Sequence, residues 1–426
     1  MKDAPKIITL GCRLNAYESD VMAGHARDAG LENTVFINTC AVTNEAVRQS
    51  RYEVRKARRN HPDANIIVTG CAAQINPQEF SDMPEVDAVI GNEEKMRATS
   101  FDQAALFGGA KIKVNDIMSV RETAPQLISG GNRAAVKSQN RTRAFLQVQN
   151  GCDHRCTFCI IPYGRGVARS VPAGEVVAHV KSLVSQGYGE VVLTGVDLSS
   201  WGQDLPGTPP LGDLVRRVLK LVPDLPRLRL SSIDPAEIDE ALFEALTTNA
   251  RMTPYLHLSL QAGDDMILKR MKRRHSRQDA IDLCQRIKQA RPEFAFGADM
   301  IAGFPTEDET MFENSRTIIS EIGIPWLHVF PYSAREGTPA AKMPSVKGDI
   351  IKARAKVLRG EGEAVKAAHI KARIGQVDEA LFEDTGLGRL TDFTLVKIDG
   401  PPQGGAFAKV KLTGYDGENA LGILHG

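Results

Sequence analysis

Three cysteines close together in the middle of the chain are the residues best suited to chemistry. Cys152, Cys156 and Cys159 follow the spacing C-x3-C-x2-C. A structural zinc site uses four protein ligands and a ferredoxin cluster uses four cysteines, so this loop supplies one ligand too few for either. A metal centre held here keeps one coordination position open for another molecule, which indicates a catalytic rather than a structural role.

Two other interpretations of this loop stay open. Zinc can use His154 as a fourth ligand, although a ligand inside so short a loop cramps tetrahedral geometry. The three cysteines can also be ordinary buried side chains, although free cysteines are scarce and rarely crowd one loop. We favour a [4Fe–4S] cluster in which one iron has no protein ligand.

Three further cysteines occupy matching positions in the first part of the chain. Cys12, Cys40 and Cys71 each follow a short apolar run that predicts a β-strand. Because the carboxyl ends of parallel strands meet at one edge of a sheet, the three thiols are expected to converge there. We interpret them as a second cluster site, with chance burial of three small apolar side chains as the alternative. Cys284 has no cysteine neighbour and lies in a predicted amphipathic helix, so we assign it to the core.

The elements that position these cysteines predict an α/β fold in three units. Short strands alternate with helices, which is typical of parallel sheets covered by helices. The predicted units are an N-terminal parallel α/β domain at 1–110, a central partial (β/α)6 barrel at 138–368 and a small all-β, OB-like barrel at 370–426. The active site is expected at the carboxyl ends of the barrel strands.

Short apolar runs predict the individual strands of each unit. The N-terminal strands are expected at 6–10, 35–38, 65–69 and 87–90. The barrel strands are expected at 144–148, 191–194, 228–231, 256–260, 294–301 and 327–330. A basic connecting helix at 347–371 precedes C-terminal strands at 376–382, 390–398, 406–413 and 419–424.

The composition is that of a globular chain without a membrane segment. The 426 residues are 42% hydrophobic and carry a formal net charge of +1. The first residues lack a signal-peptide pattern, and no apolar run approaches the ~20 residues that span a bilayer. We therefore expect a cytoplasmic protein, in which seven cysteines indicate metal or redox chemistry rather than disulfides.

A net charge near zero does not by itself indicate a nucleic-acid binder. Any such partner must contact local basic patches, and three clusters of lysine and arginine are candidates, at 48–59, 269–277 and 347–359. The alternative for each cluster is a solvated helix face.

The cysteine loop of the middle unit resembles a known signature. With Phe158 directly before the third cysteine, the pattern C-x3-C-x-aromatic-C is similar to that of the radical S-adenosylmethionine (SAM) superfamily. The resemblance implies that the amino and carboxylate groups of SAM chelate the open iron. It also implies that one electron from the cluster cleaves SAM to a 5′-deoxyadenosyl radical.

The whole chain is similar to the radical SAM methylthiotransferase family. That resemblance implies a cluster on Cys12, Cys40 and Cys71, a radical SAM barrel and a C-terminal TRAM domain. The motifs that carry it are Gly11-Cys12 with Asn15, Asn38-Thr-Cys40, Gly70-Cys71, Gly151 to Cys159, Arg143-Ala-Phe145, Pro162-Tyr163, Arg165-Gly166, Gln261, Gly303-Phe-Pro305 and Phe330-Pro-Tyr-Ser333. The candidate contacts to SAM are Gly195, Asp197, Ser232 and Gln261.

Within the family, residues 156–163 and 328–339 most resemble the branch that acts on N6-threonylcarbamoyladenosine in tRNA. The implied reaction inserts a methylthio group at C2 of that nucleoside, next to the anticodon, with sulfur held at the second [4Fe–4S] cluster. The implied partners are the tRNA anticodon loop, an electron donor such as flavodoxin or ferredoxin, and a sulfur donor, with no membrane. The chain departs from the family pattern at Asp197, Asp234, Ser259 and Ala262.

Other functions fit parts of the same pattern. Within the family, the substrate can instead be isopentenyladenosine in tRNA or an aspartate of a ribosomal protein. From a different class, the chain can be a non-catalytic iron–sulfur protein that binds RNA or senses redox state. Formation of 5′-deoxyadenosine from SAM separates an enzyme from that last alternative.

Overall fold

The α/β fold expected from the sequence is confirmed in a computed structural model, which describes residues 4–121, 142–383 and 386–426. Its main sheets are a five-stranded parallel sheet, two three-stranded parallel sheets and a closed five-stranded barrel. The predicted starts of the first and middle units, residues 1 and 138, lie outside the described residues.

The helices and strands follow one another as a βα alternation and end in a run of strands. They are β1 (Lys6–Thr9), α1 (Arg13–Asp28), β2 (Thr34–Thr39), α2 (Asn44–Asn60), β3 (Asn65–Gly70), α3 (Cys71–Ile75), α4 (Pro77–Ser81), β4 (Ala88–Ile90), α5 (Gln103–Phe107), β5 (Ile112–Lys113), β6 (Arg143–Gln147), β7 (Gln149–Asn150), α6 (Ile161–Arg165), β8 (Arg169–Ser170), α7 (Ala173–Ser185), β9 (Glu190–Thr194), α8 (Leu211–Leu221), β10 (Arg227–Leu230), α9 (Glu240–Thr248), β11 (Tyr255–Gln261), α10 (Asp265–Met271), α11 (Arg277–Ala290), β12 (Ala295–Ala302), α12 (Glu309–Ile322), β13 (Trp326–Pro331), α13 (Gly348–Ala372), β14 (Val377–Phe382), β15 (Leu387–Arg389), β16 (Leu395–Lys397), β17 (Phe407–Tyr415) and β18 (Ala420–Leu424).

The N-terminal sheet carries β1 to β5 in chain order, all parallel. The four predicted strands are confirmed, and every residue of β2 is buried, as expected for a strand covered on both faces. The fifth strand is absent from the sequence prediction because two residues show no periodicity, and only its pairing with β4 defines it.

The central unit is an open barrel of six parallel strands. One sheet holds β6, β9 and β10, the other holds β11, β12 and β13, and two isolated bridges join β10 and its following loop to the β11 side. All six predicted barrel strands are confirmed, with ends that move by at most one residue. Helix α1 of the N-terminal unit packs against the edge strand β6, and its Leu14, Tyr17 and Val21 share the hydrophobic core of the barrel. This packing brings the N-terminal cysteines to the barrel.

The C-terminal strands close into a barrel in the order β14-β15-β16-β18-β17. The single strand predicted at 390–398 is wrong, because residues 390–394 form a turn between β15, which ends at Arg389, and β16, which begins at Leu395. The Asp392 carboxylate holds the turn by accepting hydrogen bonds from the backbone N–H and the hydroxyl of Thr394, at 3.0 and 2.9 Å. Phe393 takes a φ of 81° and projects from this turn.

The C-terminal barrel covers the amino-terminal ends of the central strands. The ring of Phe393 stacks on Tyr255 at the start of β11, with centroids 4.6 Å apart. Trp326, at the start of β13, donates its indole N–H to the backbone oxygen of Asp392 at 3.1 Å. The carboxyl-terminal ends of the central strands therefore stay available for a site. Among the described residues, no helix is long and apolar enough to span a membrane.

Candidate active site

The structure brings Cys12, Cys40 and Cys71 together at the carboxyl edge of the N-terminal sheet. Cys12 is the N-cap of α1, Cys40 follows β2, and Cys71 begins α3 directly after β3. The thiols are close enough to influence one another: burial raises the pKa of Cys40 to about 11, and Cys71 and Cys12 contribute to that rise. Gly11 is required here, because a Cβ at this position would lie 2.9 Å from the Cys40 sulfur.

A fully buried arginine from the middle unit reaches this first triplet. Arg165 ends α6, shortly after the second cysteine loop, and its Nε donates to the Cys71 sulfur at 3.0 Å. Its guanidinium also pairs with the buried carboxylate of Glu18 and donates to the side-chain oxygen of Asn15. One arginine therefore connects the two cysteine regions.

The charges around the first triplet do not balance without the sulfurs. Lys95 Nζ lies 2.6 Å from Glu18 Oε2, and both side chains are fully buried. Arg165 and Lys95 therefore supply two positive charges against the single carboxylate of Glu18. A buried excess of positive charge is costly unless anions compensate it, and thiolates bound to a metal centre are such anions. The donor set fits an anionic iron–sulfur group.

The second triplet is built within a single loop between β7 and α6. The Cys152 N–H donates to the Gly166 oxygen at 3.1 Å, and the Cys159 N–H donates to the Cys156 oxygen at 3.1 Å. All three cysteines are half-buried, and burial raises the pKa of Cys159 to about 11. The loop therefore presents its thiols toward accessible space, as an exchangeable ligand requires.

Polar groups from the barrel strands surround this second triplet. Arg273 Nη1 lies 3.7 Å from the Cys156 sulfur, and its Nη2 donates to Asp234 Oδ2 at 2.8 Å. On the other side, the Cys152 thiol lies 3.5 Å from Asp197 Oδ2. His154 Nε2 lies 2.9 Å from that same Asp197 oxygen, and this pairing gives no support to zinc with His154 as a fourth ligand.

The spacing of the sulfurs separates a cluster from a single ion. Three thiolates on one tetrahedral zinc would lie about 3.8 Å apart, given Zn–S bonds of about 2.3 Å. Across the described parts of the chain, only two groups have three ligand atoms within 4.8 Å of one another. These groups are His257 with Asp299 and His328, and His154 with Asp197 and Glu237. Neither cysteine triplet meets that limit, so the spacing of the described thiols does not match a single tetrahedral ion.

The residues predicted to contact SAM lie at the carboxyl ends of three neighbouring strands. Gly195 and Asp197 follow β9, Ser232 follows β10, and Gln261 ends β11 with a φ of 70°. Their polar groups already have protein partners in part, since Asp197 accepts from Ser200 at 2.8 Å and Ser232 lies 3.0 Å from His257 Nδ1. Their contact with SAM stays a prediction.

Sequence reasoning missed the charged groups that connect the units. Arg165 belongs to a recognised motif, but nothing in the sequence assigns it to Cys71, and Glu18 and Lys95 stand out only as charges in apolar surroundings. The assignment of Cys284 to the core is confirmed, because its side chain is buried on α11.

Comparison with known proteins identifies the family to which the chain belongs. Residues 146–317 match the model described as Radical SAM superfamily, and residues 5–91 match the one described as Uncharacterized protein family UPF0004. The chain is 52% identical over 411 residues to the "Threonylcarbamoyladenosine tRNA methylthiotransferase MtaB" of Rickettsia prowazekii, covering 96% of this chain and 95% of that one. The chain belongs to the radical SAM methylthiotransferase family. As a member it is a transferase, and the family implies SAM and a [4Fe–4S] cluster.

Other members of the radical SAM methylthiotransferase family are more distant. The MtaB protein of Aquifex aeolicus is 34% identical, covering 95% of this chain and 98% of that one. A "tRNA-2-methylthio-N(6)-dimethylallyladenosine synthase" of Cereibacter sphaeroides is 33% identical, covering 91% of this chain and 89% of that one. Among solved structures, the radical SAM methyltransferase TsrM of Kitasatospora setae shares the fold, with a TM-score of 0.56 at 15% identity over 79% of this chain and 77% of that one.

Proposed function

We propose that the chain inserts a methylthio group at C2 of N6-threonylcarbamoyladenosine next to the anticodon of tRNA, giving 2-methylthio-N6-threonylcarbamoyladenosine. The observation that carries this proposal is Arg165, which follows the second cysteine loop and donates to Cys71 of the first triplet. Two separate thiolate triplets thereby belong to one site. The substrate follows from the 52% identical relative, whose name states that nucleoside.

In this proposal each triplet holds its own [4Fe–4S] cluster. Cys152, Cys156 and Cys159 hold the one at which SAM binds, and Cys12, Cys40 and Cys71 hold the one that carries sulfur. Bound there, these groups supply one-electron chemistry and a sulfur atom, which the reaction requires because the C2–H of adenine is too weakly acidic for a side-chain base. Arg165, Glu18 and Asn15 fix the position of the two groups relative to each other.

The remaining assignments describe how the ligands are held. Gly195, Asp197, Ser232 and Gln261 line the SAM side of the site. The adenine is splayed out of the anticodon loop, as single-stranded loops permit, to reach the strand ends between the triplets. An electron donor such as flavodoxin or ferredoxin and a separate sulfur donor complete the cycle. We keep the proposed units at 1–110, 138–368 and 370–426, with the last as a TRAM domain that helps to bind tRNA.

The first test uses synthetic anticodon stem-loops with the reconstituted enzyme under anaerobic conditions. One RNA carries N6-threonylcarbamoyladenosine and its matched control carries isopentenyladenosine at the same position. We expect SAM, reductant and sulfide to convert the first RNA to its 2-methylthio form by mass analysis, with formation of 5′-deoxyadenosine. Conversion of the control alone would overturn the substrate, and absence of 5′-deoxyadenosine would overturn the enzyme.

The second test counts clusters. Iron and acid-labile sulfide are measured per chain on wild type and on a variant with Cys152, Cys156 and Cys159 changed to Ala. Two [4Fe–4S] sites predict about eight irons falling to about four. About four irons falling to none would remove the first triplet as a cluster site and would remove sulfur insertion with it.

A further inference from the structure

Arg13 directly follows Cys12 and extends into the open barrel. Its guanidinium carbon lies 5.5 Å from the centre of the Phe393 ring. Phe393 belongs to the C-terminal barrel, which covers the amino-terminal ends of the central strands. Its charge also acts on His257 of β11 and Asp299 of β12, which places it on the inner wall of the barrel. The residue is half-buried.

Arg13 has no carboxylate partner of its own. Its arginine neighbours are paired: Arg229 with Glu190 at 2.8 Å, Arg389 with Glu383 at 2.8 Å, and Arg143 with Glu383 at 3.3 Å. Among the residues that the structure describes, Arg13 makes no ion pair and no hydrogen bond through its guanidinium. Glu190 and Asp299 act on this charge without forming an ion pair with it, so a bound anion would be its first direct partner among the described residues.

Several residues near this guanidinium in the sequence or on the neighbouring strands are exposed. Strand β13 is the edge of its sheet, and the side chains of His328 and Phe330 on it are exposed. Gly11 and Cys12, which directly precede Arg13, are exposed as well. Asp299 lies on the same wall, but it is 3.3 Å from His328 Nδ1 and its pKa is lowered by that contact despite burial, so its negative charge has a partner.

We propose that Arg13 binds the carboxylate of the side chain on the substrate adenine and thereby selects that substrate. This inference rests on the proposed function. The threonylcarbamoyl group ends in one carboxylate, whereas the dimethylallyl group named for other members of the family has no charge. A guanidinium beside Cys12 recognises the former, in a bidentate geometry that lysine does not reproduce. It offers no partner to the latter.

The test compares two anticodon stem-loops that differ in one group. One carries the threonylcarbamoyl side chain and the other its threoninamide, in which a neutral carboxamide replaces the carboxylate. We expect wild type to favour the carboxylate RNA in kcat/KM by about 10- to 100-fold, as for a charge-assisted hydrogen bond. Arg13→Gln is expected to lose that preference, mainly through KM, and Arg13→Lys to keep part of it.

Controls separate recognition from damage to the neighbouring cysteine site. Arg286→Gln is the matched variant, because Arg286 also lies over a phenylalanine ring, at 4.6 Å from Phe243, but on the exposed face of α11. It should keep the wild-type preference. Iron and sulfide per chain, measured on Arg13→Gln, should equal those of wild type, and binding of the two RNAs without SAM should show the same loss of preference.

The outcomes distinguish the two proposals. If wild type modifies neither RNA but modifies the isopentenyladenosine stem-loop, the proposed function fails. If wild type modifies the carboxylate RNA but does not distinguish it from the amide, or if Arg13→Gln keeps the full preference with normal iron content, the assignment of Arg13 is wrong and the proposed function stands.

Discussion

The two cysteine triplets each bring three thiols together, but different parts of the fold position them. The first is assembled from three strand ends, and its surroundings include the fully buried charges of Glu18, Lys95 and Arg165. The second lies in one loop, is half-buried, and has Arg273 and Asp197 as charged neighbours. Cys40 and Cys71 are buried and Cys12 alone is exposed, which suits a centre that stores a group. Three half-buried thiols in one loop suit a centre at which a ligand is exchanged.

Cysteine substitutions should separate the triplets most sharply. Cys71→Ala is expected to abolish the methylthio product while 5′-deoxyadenosine still forms, because in the proposed function SAM is cleaved at the second triplet. Cys156→Ala is expected to abolish both. Mass analysis of nucleosides and of 5′-deoxyadenosine measures the two outputs in one reaction. Cys284→Ala, at a buried cysteine outside both triplets, should leave both outputs in place. If Cys71→Ala still formed the methylthio product, the proposal that the two triplets have different roles would be wrong.

The arginines beside the sulfurs should differ in their importance for stability. Arg165→Met removes a fully buried cation that contacts Glu18, Asn15 and Cys71, so a loss of roughly 3 kcal/mol in the free energy of unfolding is expected. Arg273→Met should cost less, roughly 1–2 kcal/mol, because its partner Asp234 keeps Arg274 at 2.8 Å. Urea unfolding followed by circular dichroism, with iron content read in parallel, ranks the two variants. Equal losses would contradict the comparison.

A buried ion pair without a sulfur nearby tests the charge effect alone. Burial would raise the pKa of Glu190, but Arg229 outweighs it and the pKa falls from 4.5 to about 2. The pair therefore contributes roughly 3 kcal/mol above pH 4.5 and loses that contribution as the pH falls toward 2. Urea midpoints between pH 7 and pH 3 should fall more steeply in wild type than in Glu190→Gln. Parallel curves would show that this carboxylate is not the titrating group.

The smallest effect is expected at the basic cluster on α2, a candidate contact surface for tRNA. On α2, Arg48 pairs with Glu45 and Arg51 with Glu79, whereas Arg55 and Arg59 are exposed. Changing Arg55 and Arg59 together to Ala should weaken stem-loop binding a few-fold and lower the slope of log affinity against log salt by up to about 2. Filter binding at several salt concentrations measures both the affinity and its salt dependence. Arg48→Ala, at a residue already paired, should change the slope less.

The sequence predicted the parts of the fold that have a local signal. The six barrel strands follow from short apolar runs, and the loop of Cys152, Cys156 and Cys159 follows from spacing alone. The prediction from sequence failed where contacts with distant residues determine the structure. The two-residue strand β5 is defined only by its pairing with β4, and the turn before β16 depends on the Asp392 carboxylate. Short segments take their conformation from partners that are distant in sequence, so no local pattern marks them.

By itself, the sequence determined the residue types: six cysteines in two sets, three of them at predicted strand ends, on strands that alternate with helices. Only the tertiary structure decided what surrounds them. Packing of α1 against β6 places Arg13 inside the barrel, and the end of α6 brings Arg165 to Cys71. A charge at one position reveals nothing about its partner until the chain has folded, because the energy of a buried charge depends on distance and burial.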